Sequence, residues 1–431
     1  MNQETIEYII RFLTGTTPDA DTFRIGYTSN REDFDRFDLV FIPSGFFNKG
    51  IYGTKQSLPV LPLREIEGIP ILFGDDKVEQ INSTLVVHAD LIASTYFLIT
   101  RYEEFIVRDS RDANGRFPGK QSLPYRAGFI HRPIVDEYRL LIRTWLKAKD
   151  NNLPSLPQGI RKVYLTHDVD APFLYRSWKG FVRSLLARRG LVTTWRNKFG
   201  AMEEDPYFTF PWLLEKDQRM VNALGRDKSE IIFFVKGGGK VRQDKPIYNL
   251  YGNDMQDLFE LFRSYQATIG MHTSYYAGLH PEMITEEKEN LILALGQSVT
   301  CNRHHFLDTR EPEDMDYLAE TGITDDFTLG YADVAGFRLG TCYPVRWINP
   351  ANGKLSELVL HPLNIMDCSL DSSAYMGLNL EEAKEYCIRL INGIHHVGGE
   401  LVLLWHNTSF TTHTNNYHRE LYTHLLNILS R

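Results

Sequence analysis

The chain has 431 residues, 43% of them hydrophobic and 24% charged, with a formal net charge of −8. That length exceeds what one hydrophobic core usually organises, so two domains are expected, and the acidic balance argues against a general nucleic-acid binder. No run of 18 apolar residues and no basic, signal-like start occurs, and the four cysteines form no CxxC pair. These features predict a cytoplasmic protein with free thiols and no stable membrane insertion.

In chain order, residues 1–158 read as one α/β unit. Ile6, Ile9, Ile10 and Leu13 have helical spacing, and Phe23–Tyr27 and Leu39–Ile42 read as strands. Ala89 to Phe105 predicts a helix, Arg108 to Ser122 a loop, and Asp136 to Lys149 a second helix. Within the first helix, Arg101, Glu103 and Glu104 read as a surface ion-pair network. The segment Asn151 to Gly159, rich in Asn and Pro, marks the boundary to a second domain over 159–431. Early in that domain Arg176, Lys179, Arg183, Arg188, Arg189 and Arg196 form a basic run. It reads as the solvated face of an amphipathic helix, with an anionic lipid surface or acidic polymer as the alternative.

From Arg161 onward short apolar runs alternate with helical segments. Strands are expected at Val163–Thr166, Ile231–Val235, Thr268–Met271, Val299–Asn302, Gly336–Arg338 and Leu401–Trp405. Helices are expected at Phe210–Leu224, Met255–Tyr265, Pro281–Leu295, Asp314–Glu320 and Leu380–Val397. This alternation implies βα units around a largely parallel sheet, either open and doubly wound or closed as a barrel. Either arrangement gathers functional residues at the C-terminal ends of the strands.

Four such ends carry reactive side chains. Thr166-His167-Asp168-Val169-Asp170 places two aspartates at i and i+2, on one face of a strand. Carboxylates held that close persist where a cation or an arginine compensates them. Met271-His272-Thr273, Asn302-Arg303-His304-His305 and Leu404-Trp405-His406 supply the other three ends. Aspartate and neutral imidazoles suit a divalent ion such as zinc, and a second carboxylate with a further histidine suits general base and acid work.

In this order and spacing the segments resemble the polysaccharide deacetylases (family 4 carbohydrate esterases) over about residues 160–410. The whole chain resembles a bacterial subgroup of these proteins that carries an extra N-terminal domain. The resemblance implies a deformed (β/α) barrel and a metal-dependent hydrolase, most often using zinc, that removes acetyl groups from N- or O-acetylated sugars. It makes Asp168 the base, Asp170 a metal ligand, Arg303 the contact that holds the base, with Phe306 three residues on, and His406 the acid, three residues after Leu403. The motif H-[ST]-x-x-H is met by His272 and Thr273, but Tyr276 stands at its last position, where a histidine would ligate. His305 is expected to complete the set with Asp170 and His272, with His304 and His280 as fallbacks. His167, Tyr276, Arg338, Tyr343 and Trp405 are the expected carbohydrate contacts, Arg338 and Tyr343 from the stretch Gly336–Pro344 where the family places an orienting residue. Two other readings stay open: a carbohydrate-binding protein without catalysis, and a hydrolase of a non-sugar amide.

Overall fold

A computed structural model describes residues 2–15, 23–176, 178–186, 191–413 and 416–430. The first 150 residues build a four-stranded sheet and a small ribbon. Strands β1 (Ile25–Tyr27), β2 (Leu39–Phe41), β3 (Arg64–Ile66), β4 (Ile69–Ile71), β5 (Gly74–Ile81) and β6 (Thr84–Ala89) occur here, with sheet order β1-β2-β6-β5 and β3 paired to β4. Helices Gln3–Thr14 and Ile134–Lys147 carry apolar stripes at three- and four-residue spacing and bury them in the same core. The helix expected over 89–105 is two helices, Leu91–Ile99 and Tyr102–Ile106. They break at Arg101, whose φ of 58° is incompatible with a continuous α-helix.

The remaining residues form a nine-stranded sheet from β7 (Lys162–Val169), β8 (Ser229–Val235), β9 (Thr268–Thr273), β10 (Cys301–His304), β11 (Asp325–Asp326), β12 (Val345–Ile348), β13 (Leu355–Leu360), β14 (Ile365–Met366) and β15 (Glu400–Leu404). The order is β12-β13-β11-β10-β9-β8-β7-β15-β14, and every pair but β12 with β13 is parallel. The sheet curls. Arg303 on β10 donates to Thr166 and Asp168 on β7, although three strand spacings in a flat sheet come to roughly 14 Å, beyond an arginine's reach.

The barrel is not closed by a ladder, for β12 and β14 are not hydrogen-bonded to one another. A polar bridge spans the gap instead: His361, just past β13, contacts Glu400 of β15 at 2.9 Å. Fold and expectation thus agree on a parallel α/β sheet and differ on closure.

Two apolar layers follow from the period-two alternation of the strands. The concave face packs Tyr164, Ile232, Phe234, Phe327, Val402 and Leu404 together. The convex face puts Val163, Leu165, Phe233 and Leu403 under the helices, in a cluster that runs on without interruption to Ile9, Tyr96 and Leu141 of the first 150 residues. The expected strand Gly336–Arg338 is a turn in this seam rather than a strand. Gly340 there has φ +66°, and a Cβ on it would meet Leu98 Cδ1 at 2.7 Å, so the close approach requires glycine.

Arg101 and Glu104 lie in the same seam beside Arg338, and the network expected at the surface for Arg101, Glu103 and Glu104 is buried. Glu104 bridges Arg101 at 2.6 Å and Arg338 at 2.8 Å, with side-chain exposures of 3% or less. Of the basic run, Arg196 pairs with Glu204 on an exposed helical face, whereas Arg176 precedes the helix and is largely buried against Asp254. Arg188, Arg189 and the side chains of Lys179 and Arg183 lie outside the described residues. The four cysteines are unpaired. Among the described residues no helix is long and apolar enough to cross a membrane.

Candidate metal centre and acid–base pair

The concave face opens at the C-terminal rim of the strands, where the sequence placed its reactive residues. Alternation puts Thr166, Asp168 and Asp170 on that face and His167 on the other. Asp170 Oδ1 lies 3.1 Å from His272 Nε2 and 3.4 Å from His305 Nε2. Asp170, His272 and His305 each offer one ligand atom, all within 4.8 Å of one another. Ligand atoms held 2.0–2.1 Å from a tetrahedral ion stand about 3.3 Å apart, so the Asp170 spacings suit zinc-like coordination.

Proton placement favours a cation as well. His272 Nδ1 is 2.9 Å from the Arg303 carbonyl, which can only accept, so Nδ1 carries the hydrogen. In the neutral ring, Nε2 then aims a lone pair at a carboxylate, a repulsive pairing unless positive charge sits between them. Although burial alone pushes the Asp170 carboxyl up, His305, His272 and His406 hold it well below the usual carboxylate range. Burial alone would lower His305, yet Asp170 raises it. Both shifts have one cause: the Asp170 carboxylate and the imidazole facing it stabilise each other's charged form. Behind His305, Asp244 Oδ1 stands 3.6 Å from Nδ1, the position from which a carboxylate orients a ligating imidazole. Asp244 is itself fixed by amides of Lys240, Val241 and Tyr275.

Beside this trio sits a buried ion pair. Arg303 Nη1 donates to Asp168 Oδ1 at 3.1 Å and to Thr166 Oγ1 at 2.7 Å, while Nε donates to the Phe327 carbonyl. The guanidinium lies 4.5 Å over the Phe234 ring and has no exposed surface. Across the cavity, His406 Nδ1 is 2.8 Å from Asp367 Oδ1, and its Nε2 faces Asp170 Oδ2 at 3.6 Å. Asp367 also accepts from the His406 amide and Ser409. Burial alone would lower His406, but the Asp367 carboxylate holds it well above its ordinary value, and with Nδ1 taken up by Asp367 its Nε2 is the nitrogen that faces the cavity.

The cavity has a volume of about 340 Å³, and its walls include Asp168, Asp170, His305 and His406 together with Arg116, Cys368 and Tyr375. Five expected contacts lie elsewhere. His167 is fully buried under the helices, bonded to Asp217 and the Trp405 carbonyl. Trp405 packs on Tyr422 in the same layer. Arg338 is committed to Glu104, and Tyr343 donates to the Val397 carbonyl beneath the Arg139 guanidinium. Tyr276 packs against His280 and Lys240 rather than lining the cavity.

The two fallback ligands are also outside the trio. His304 Nδ1 contacts Asn302, and burial, with His272 and Arg101, pushes it down to about 3. His280 is at the surface beside Glu282. Asp367, Asp244 and Arg116 were not expected. Asp367 follows a two-residue strand, and Asp244 and Arg116 sit in loops without periodicity. The only signal for Asp367 is a carboxylate directly after Ile365-Met366.

A family of unknown function (DUF7033) matches residues 2–151. No curated protein matches the chain. Among solved structures, a Mycobacterium smegmatis crystal structure assigned as a polysaccharide deacetylase is similar over 63% of this chain and 86% of that one, at 15% identity and a TM-score of 0.39. A likeness at that level carries no argument about chemistry.

Proposed function

We propose that the chain is a metal-dependent hydrolase that removes an acetyl group from an N- or O-acetylated sugar or polysaccharide precursor. The observation that carries this reading is the convergence of Asp170, His272 and His305 within reach of both a buried Asp168–Arg303 pair and an Asp367-held His406. Asp170, His272 and His305 would hold the ion, for which zinc is the best match to a one-carboxylate, two-imidazole set with a position left open. A bound divalent ion supplies a polarised acyl carbonyl and a water of lowered pKa.

The chain's own residues do the rest. Asp168, oriented by Arg303, takes the proton of the attacking water. His406 gives its Nε2 proton to the departing nitrogen or oxygen as the acyl C–N or C–O bond breaks, leaving acetate and a free amine or hydroxyl. Asp367 fixes the His406 ring so that this proton faces the cavity. A cavity of about 340 Å³ lies at the lower end of small-molecule sites, which suits one acetylated sugar unit.

Elemental analysis of protein purified without added metal tests this reading. One equivalent of zinc or a similar divalent ion is expected, retained by the full chain on dialysis. Failure to hold a stoichiometric ion, even after reconstitution, overturns it and leaves the carbohydrate-binding alternative.

A further inference from the structure

Directly after His305 the backbone is unusual. Phe306 has φ 61° and Leu307 φ 57°, two successive non-glycine residues in the left-handed region, which side chains bearing a Cβ rarely enter. Such a turn persists only where surrounding contacts over-determine it. Within the loop itself there are only two backbone bonds of this kind, Asp308 N to the His305 carbonyl at 3.2 Å and Thr309 N to the Leu307 carbonyl at 3.1 Å.

The rest of the restraint comes from nearly two hundred residues earlier in the chain. Arg116 Nη1 donates to the Phe306 carbonyl at 3.1 Å, at the strained residue itself. Arg101 Nη2 donates to the Thr309 carbonyl at 2.7 Å, and Arg111 Nη2 to the Arg310 carbonyl at 3.4 Å. Arg108 pairs with Glu311 and Glu313 farther out. Four arginines of one short segment thus grip one loop, and three of them do so through main-chain oxygens. Arg116 is the one nearest His305. It is itself fixed by Asp112 at 2.8 Å and by the Tyr375 hydroxyl at 3.0 Å.

We infer that the N-terminal segment 101–116 is a built-in clamp for the metal centre, and that Arg116 is a positioning residue for His305. The inference rests on the reading of His305 as a ligand. Arg116 contacts neither His305 nor the ion's other ligands. It acts through the Phe306 carbonyl, by holding the left-handed turn that aims the imidazole at Asp170. This gives the N-terminal region a role in the chemistry rather than beside it.

The test is a titration of the metal-free full chain with Co2+ alone, following visible absorption of the bound ion and competition with a chelator. Arg116→Met keeps the side-chain stem and removes the donors. It is expected to remain folded by circular dichroism, to bind Co2+ about 10- to 100-fold more weakly and to show an altered absorption band, as for loss of an orienting contact. Arg116→Lys, which keeps the charge and one donor, should fall between it and the parent, and stands in if the methionine variant does not fold. Arg108→Ala, cut from the outer part of the loop, should stay within about twofold of the parent. Adding Phe306→Gly to Arg116→Met should recover most of the lost affinity, because glycine enters the left-handed region without steric cost. Unchanged Co2+ affinity in Arg116→Met, an equal loss in Arg108→Ala, or no recovery with Phe306→Gly overturns the inference. A parent protein that binds no Co2+ overturns instead the proposed function on which it rests.

Discussion

Replacing Asp168 by asparagine separates the base from the metal centre more sharply than any other change. The side chain keeps its shape, and the Asp170, His272 and His305 atoms are untouched, so the bound ion should stay. What is lost is the one carboxylate paired with Arg303 among the described residues, and the Arg303 side chain has no exposed surface, against 4% for Asp168. Leaving one buried charge without its partner costs about 3–5 kcal/mol. Arg303 keeps its bonds to Thr166 and the Phe327 carbonyl and its place over Phe234, which favours the lower end. Unfolding entropy of about 2.1 cal/mol/K per residue gives roughly 0.9 kcal/mol/K over 431 residues, so Tm should fall by about 3–5 °C. Turnover, measured as acetate released from an N-acetylated sugar oligomer, should fall by about 10²- to 10⁴-fold. Adding Arg303→Met should restore much of the stability without restoring turnover, since the uncompensated charge is gone but the base is still missing. Full activity in Asp168→Asn would remove Asp168 as base, and loss of the ion would mean that it ligates.

Other outcomes follow from the same geometry. His305→Ala should lose the ion on dialysis while Tyr276→Phe keeps it, because Tyr276 packs on His280 and Lys240 away from the trio; elemental analysis of both variants decides the matter. His361, which bridges the open side of the sheet, is driven down by burial but raised more by Asp325 and Glu400, to about 9. A folded-state value above the ordinary 6.5 stabilises fully below pH 6.5, and that contribution disappears as pH rises through about 9. At 1.36 kcal/mol per unit it is worth about 3 kcal/mol. Urea unfolding at pH 6 and pH 9.5 should show this decline in the parent and not in His361→Gln. Glu104→Gln strips the shared partner of two buried arginines in the seam and should cost at least about 3 kcal/mol in the same assay; an unchanged midpoint would show that the seam does not depend on this bridge.

Much of this architecture is legible in the chain, and the parts that are not have physical causes. Strands β7, β8 and β15 each contain a short apolar run, and the helices Phe210–Leu224 and Leu380–Val397 match their expected bounds because their apolar periodicity is clear. The second of these has a capping box between Asn379 and Glu382 and a left-handed Gly398 at its end. Strand β10 runs two residues later than expected because it buries Asn302, Arg303 and His304, polar residues that read as loop. Strands β11 and β14 have two residues each and offer no period at all. In the site, the strand-end rule brings together Asp168, Asp170, His272, Arg303, His305 and His406. The same alternation separates His167 from Asp168 and Trp405 from His406, a parity visible in the sequence, and the structure places both in the helical layer. Asp367 and Arg116 reach the cavity through tertiary folding alone, which no local pattern encodes.

The composition of the concave face argues for chemistry over mere packing. Its floor is ordinary core, with Tyr164, Phe234, Phe327 and Val402 in contact. Directly above, the same face buries Arg303, Asp168, His272 and His305, with Asp367 buried behind His406, while Asp170 and His406 are partly exposed to the cavity. Apolar residues of similar volume would satisfy the fold there at equal or better stability, since desolvation offsets most of what buried ion pairs gain. Under the proposed hydrolysis each group has a neighbour that could serve its role: Asp168 has Arg303, His406 has Asp367, and His305 has Asp244 on one side and a left-handed turn on the other. If Asp168→Leu with Arg303→Met proves as stable as the parent or more so, while acetate release is abolished, the polar rim is retained at the expense of the fold. A large loss of stability in that double variant would instead make the pair part of the framework and weaken the case for a catalytic Asp168.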